Sequence, residues 1–200
     1  MKLIKREENF TVKNAFERYQ RSNKIKKLSE MTIDLKERNF LDFSKFINVD
    51  EYNIKDLDLD LVEEYIEWLI DKGQKTTTIN IKLRDLKAFL YWCMENNYLE
   101  PFKIKLLRED EVIKETYNYE QLKKLLKKPN LKKADFSEYR NYCAICFLLS
   151  TGIRCNSFLN IKIGDLDLKN SLLKLNNTKG RLQQILPLSN SIVELLEEYI

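Results

Sequence analysis

Two side chains of this 200-residue chain are placed to hold a phosphate from opposite sides. Arg154 follows a Thr151-Gly152 break at the end of the apolar run from Tyr142 to Leu149. Lys179 sits in the turn Asn177-Thr178-Lys179-Gly180, between two short apolar segments. A guanidinium keeps its proton at any biological pH and offers paired donors to the non-bridging oxygens of a phosphate. A fixed positive charge of this kind lowers the energy of a phosphoryl transition state, in which those oxygens gain negative charge. The pattern points to strand chemistry on DNA.

These side chains need elements to carry them. The first hundred residues read as four helices. The first covers residues 11–22, with Thr11 as cap and Val12, Ala15, Phe16 and Tyr19 on one face. The second covers residues 32–47 and buries Ile33, Phe40, Phe43 and Ile47. The third covers residues 60–71, turns Val62, Tyr65, Ile66, Leu69 and Ile70 inward, and closes on Gly73. The fourth is capped by Thr76, Thr77 or Thr78 and keeps Ile79, Leu83, Leu86, Leu90 and Cys93 at helical spacing. A second stripe, Asn80, Arg84, Lys87 and Tyr91, runs beside the apolar one. It reads either as a solvated face or as a face toward phosphates and bases, fed by Lys75, Thr76 and Thr77 at the helix start. A helix N-terminus with hydroxyls suits phosphate oxygens.

Residues 101–116 are charged, lack clear periodicity and read as a linker. A second region opens with Asn118 and Gln121 in a capping-box pattern, and Pro129 stops that helix. A helix over residues 135–150, a short helix over 157–161, two strands over 172–175 and 184–188, and a last helix over 192–200 follow. Ser189 or Ser191 starts the last of these.

Composition limits the alternatives. Gly and Pro number only 4 and 3, which disfavours hairpin-rich architectures, and the 44% apolar content suffices for real cores. The net charge of +4 permits nucleic-acid binding without requiring it. The charge is uneven: residues 2–27 and 123–133 are basic, and 50–67 acidic. The four cysteines do not form a disulfide framework in a chain this long. Cys143 and Cys146 lie in an apolar helix, with no second CxxC and no histidine, so they read as core rather than as a metal site. No run reaches membrane-spanning length, and the expected setting is a reducing cytoplasm.

The run Thr151-Gly152-Ile153-Arg154, then Phe158-Leu159-Asn160-Ile161-Lys162 and Asp165-Leu166-Asp167, resembles the first catalytic box of the tyrosine recombinases, the phage-integrase family. Leu173, Leu175, Thr178-Lys179-Gly180, Ile185 and Pro187-Leu188 resemble the hairpin and Pro-Leu segment that follow it. The start of the fourth helix, Lys75-Thr76-Thr77-Thr78-Ile79-Asn80, is similar to the family's core-binding domain.

The resemblance implies a mainly α protein in three stretches. Residues 1–100 form a four-helix SAM-like core-binding domain, 101–116 a linker, and 117–200 an incomplete α+β catalytic domain with a small β-hairpin. It implies cleavage of one DNA strand through a 3′-phosphotyrosine, with no cofactor and no metal, by a tetramer on double-stranded DNA. Arg154 would hold the phosphate, and Lys179 would protonate the 5′-hydroxyl leaving group. Lys75, Thr76, Thr77, Asn80, Arg84 and Lys87 would contact DNA.

Two departures stand out. Ser157 occupies the position, three after the arginine, where the family usually has an acid. The family's His-x-x-Arg box and tyrosine nucleophile have no match, and Tyr199 reads as a structural aromatic. The expectation is a fragment of a mobile-element integrase that does not cleave DNA alone and tends to self-associate. Two alternatives are a non-catalytic DNA-binding remnant and a helical protein-interaction module.

Overall fold

Most helices begin where the chain supplies an acceptor for their first unpaired amides. The computed structural model describes residues 10–109, 115–176 and 183–200. It divides into two compact units, Met1–Val112 and Ile113–Ile200.

In the first unit, α1 (Val12–Ile25) starts on a capping box between Thr11 and Asn14. Its entry is tied down by backbone bonds from Val12 to Tyr52 and from Ile54 to Phe10. Ser29 caps α2 (Glu30–Phe43) and Asp58 caps α3 (Leu59–Asp71). Helix α3 ends on Gly73, at φ 71°, whose N–H donates to the Ile70 carbonyl at 2.8 Å. Helix α4 (Thr76–Glu95) is the longest and packs against α1, α2 and α3.

Three expectations need correction here. Helix α2 starts earlier and stops at Phe43, so Ile47 packs on the core from beyond its end. Ile70, expected inward, is 53% exposed. The N-cap of α4 is Lys75, without a side-chain cap bond, so the three threonines lie inside the first turn.

The core of this unit is aromatic. Phe16 stacks on Phe40 at 3.7 Å between ring centres, and Phe89 meets both edge-on. Such contacts add to the stabilisation from burial alone. Charged groups cross between α2 and α4. Lys36 binds Asp85 at 3.1 Å, Asn39 donates to the same carboxylate, and Lys82 binds Asp42 at 2.8 Å. Burial works against the Lys36 charge, but Tyr19 and Asp85 outweigh it and raise its pKa.

In the second unit, α5 (Tyr119–Leu125) carries the expected Asn118–Gln121 capping box. Asp135 caps α6 (Phe136–Thr151). Next come α7 (Cys155–Phe158) and an antiparallel sheet of β1 (Leu166–Asp167), β2 (Leu172–Leu175) and β3 (Gln184–Pro187), in that order. Leu173 pairs with Leu186 across β2 and β3. Helix α8 (Asn190–Tyr199) returns against α6. Phe147, Leu173, Leu175, Leu188, Ile192 and Leu196 form the core. The short helix begins two residues before its expected start, and β1 was not anticipated at all. Cys143 is buried in α6, in line with packing. Tyr199 lies in a ring cluster with Phe136 and Tyr139, a packing position.

Candidate nucleic-acid interface

Arg154 is held at a stiff corner. Helix α6 ends at Thr151, whose hydroxyl donates to the Phe147 carbonyl at 2.7 Å. Gly152 then takes the left-handed conformation, φ 62°, and its N–H donates to Leu148 at 2.9 Å. Glycine adopts that conformation without the strain a Cβ brings. Ile153 and Phe158, on either side of Arg154, pack into the core of the second unit. The backbone is therefore pinned on both flanks, while Arg154 itself, the N-cap of α7, is exposed. Among the described residues its guanidinium has no hydrogen-bond or ion-pair partner. Ser157 is half-buried. Lys179, the expected second phosphate ligand, lies outside the described residues.

The fourth-helix residues divide into two groups. Lys75, Thr76 and Thr77 are exposed at the start of α4, and their side chains make no hydrogen bond among the described residues. They stand beside the first amides of a 20-residue helix, the favourable end for an anion.

The rest of the stripe faces protein. Asn80 is 1% exposed. Its carboxamide donates to the Leu107 carbonyl and accepts from the Leu107 N–H, both at 2.9 Å. The same amide nitrogen also donates to Glu109. Asn80 is therefore corrected from a DNA contact to an internal bracket. Lys87 donates to the Ile104 carbonyl at 2.9 Å, and the Tyr91 hydroxyl accepts from the Ile104 N–H. Arg84, more than half exposed, lies 3.6 Å from Glu109. Residues 101–109, read as linker, thus belong to the helical unit as far as Glu109, with Ile104 buried in its core. The sequence offered only a faint signal for this: Ile104 between Lys103 and Lys105.

The lysines of the basic 123–133 stretch are exposed, and one feature there escaped the sequence reading: Lys128 pairs with Glu198 at 2.6 Å. Among the described residues no group of three or more carboxylates and cysteines could hold a metal ion, and no helix is long and apolar enough to cross a membrane.

Both units match known families. The model of the phage integrase family matches residues 115–200, and that of the phage integrase N-terminal SAM-like domain matches residues 15–97. The chain belongs to the phage integrase family, the tyrosine recombinases. Tyrosine recombinase XerC of Staphylococcus carnosus is 24% identical over 176 residues, covering 86% of this chain and 58% of the relative. XerD of Staphylococcus aureus is 25% identical over 191 residues, covering 92% of this chain and 63% of the relative.

Among solved structures, the Tn1549 transposon integrase in complex with a circular intermediate DNA aligns with a TM-score of 0.74. It is 20% identical, over 95% of this chain and 65% of that one. A lambda integrase dimer bound to a COC′ core site aligns at 0.73 with 13% identity, over 94% of this chain and 66% of that one. At such identities the likeness shows the fold. The chain spans less than two thirds of the length of these curated relatives.

Proposed function

We propose that this chain is the DNA-gripping part of a site-specific recombinase or integrase of a mobile element, which cuts and rejoins DNA through a 3′-phosphotyrosine. The observation that carries this is Arg154: an exposed guanidinium on a pinned corner, with no partner among the described residues. Unlike a solvated surface arginine, Arg154 stands on a backbone corner pinned by Gly152 and by Ile153 and Phe158 in the core. An arginine kept for a ligand is fixed in the backbone and open at its tip. Lys75, Thr76 and Thr77 support the reading from the first unit, as an anion-facing helix start. The exposed flank of Arg84 can add charge to the same face.

In this reading Arg154 holds the scissile phosphate and Lys179 protonates the leaving 5′-oxygen. The partners are double-stranded DNA and further copies of the protein, up to a tetramer. The reading includes a cytoplasmic setting and no cofactor. The 200 residues alone would bind DNA without cutting it, because no residue in them matches the family's tyrosine nucleophile.

The test is salt-dependent binding to duplex DNA. Each phosphate contact contributes a log–log slope of about −0.9 against salt. A slope equivalent to several contacts is expected, and the triple change Lys75→Ala, Thr76→Ala, Thr77→Ala should flatten it. Absence of DNA affinity at low salt would reject the reading in favour of a protein-interaction module.

A further inference from the structure

We propose that Asn80 is a positioning residue: with Lys87, Tyr91 and Arg84 it clamps residues 104–109 onto α4 and so sets where the chain leaves the helical unit. Segments between domains ordinarily satisfy their backbone with water. Here Leu107 has both its N–H and its carbonyl taken by one Asn80 carboxamide. Ile104 has its carbonyl taken by Lys87 and its N–H by Tyr91. An asparagine side chain presents the same donor and acceptor as a peptide group. The helix therefore serves the segment as a neighbouring strand would, through side chains.

The order of contacts is antiparallel. Asn80, Lys87 and Tyr91 ascend α4 while Leu107 and Ile104 descend the segment. Ile104 is 2% exposed and wedges the segment into the core. The Arg84–Glu109 pair closes the C-terminal end of the described segment.

Burial gives Asn80 its leverage. A polar group at 1% exposure costs free energy unless it is paired, so this clamp is strongly favoured closed. Among the described residues the last anchored one moves from Leu99 to Glu109, which removes residues 100–109 from the span joining the units. A shorter effective tether raises the local concentration of one binding unit once the other is bound. This last consequence rests on the DNA reading above; the clamp itself does not.

Hydrogen exchange on the 200-residue chain tests the clamp without DNA. Asn80→Ala should speed exchange of the Ile104 and Leu107 amides about tenfold or more and leave those of Leu69 and Phe89 unchanged. Tyr91→Phe, which keeps the ring, should affect Ile104 alone. Unchanged protection at 104 and 107, or faster exchange throughout the helical unit in both variants, would overturn the clamp.

Binding to duplexes of about one and about three helical turns tests the positioning role. The wild-type chain should gain about tenfold or more on the longer duplex. Asn80→Ala should lose most of that gain with its short-duplex affinity intact. A gain that survives Asn80→Ala would reject the positioning role. If the wild-type chain binds neither duplex, the DNA reading has failed, and the exchange result still decides the clamp.

Discussion

The two units differ in how they commit their cations and in the apolar groove that the second unit carries. In the helical unit the interior cations are matched: Lys36 with Asp85 and Lys82 with Asp42, beneath a continuous aromatic core. In the second unit Arg154 has no partner among the described residues, and Leu159 and Ile163 are 78% and 70% exposed. That unit also carries an apolar groove of about 220 Å³, lined in part by Phe147, Phe158, Ile161 and Leu196. The helical unit pairs its interior cations within itself. The other leaves Arg154 and an apolar groove open to a ligand or partner.

The most damaging way to break this contrast is to hollow the helical core. Phe89→Ala should cost about 3–5 kcal/mol in denaturant unfolding of that unit, because Phe89 touches Phe16, Tyr19 and Phe40 together. Leu159→Ala in the other unit should change stability by less than about 0.5 kcal/mol.

Removing Asp42 comes next. It strands Lys82, which is 8% exposed, and should cost about 1–3 kcal/mol, less than for a fully buried pair because Asp42 keeps contact with water. Hydrogen bonds from Lys45 and then Lys82 hold the Asp42 carboxyl below the ordinary carboxylate range, against a smaller opposing effect of burial. Its stabilisation is therefore complete above about pH 4 and fades as pH falls through the lower folded value. Asp42→Asn should flatten that acid limb, as followed by circular dichroism.

The contrast sharpens at high concentration. The exposed apolar surface of the second unit should drive association, and Leu159→Ser with Ile163→Ser should lower the mass seen by light scattering. The smallest expected effect is on Arg154. Arg154→Ala should shift stability by less than about 0.5 kcal/mol, since no described residue pairs with its charge. A clear loss of stability would mean that the guanidinium is structural.

Local chemistry was legible in the sequence; non-local coverage was not. Thr11, Asn118 and Gly152 announce their roles through bonds made within four residues, so type and spacing suffice. The helix break before Arg154 was legible because it is built from neighbours in the chain. Asn80 was misread because a polar stripe at helical spacing looks the same whether water, DNA or another segment lies against it. What covers it comes from 27 residues away. Ile70 failed for the same reason, since no described element covers its face. The two-residue β1 is too short to show alternation, and its pairing with β2 comes from the turn between them.

The crossed pairs between α2 and α4 have one more consequence. Lys36 and Asp42 stand six residues apart on α2, and their partners on α4, Asp85 and Lys82, carry the reverse order of sign. Sliding α2 along α4 by one turn would bring carboxylate toward carboxylate and ammonium toward ammonium. An aromatic interface alone tolerates such slippage, because rings pack against rings in several offsets. The charges make the alignment readable in one way only, as a key with two differently cut teeth fits a single depth of its lock. Exchanging both residues of one pair would preserve attraction within that pair while erasing the asymmetry that tells the helices where to stop.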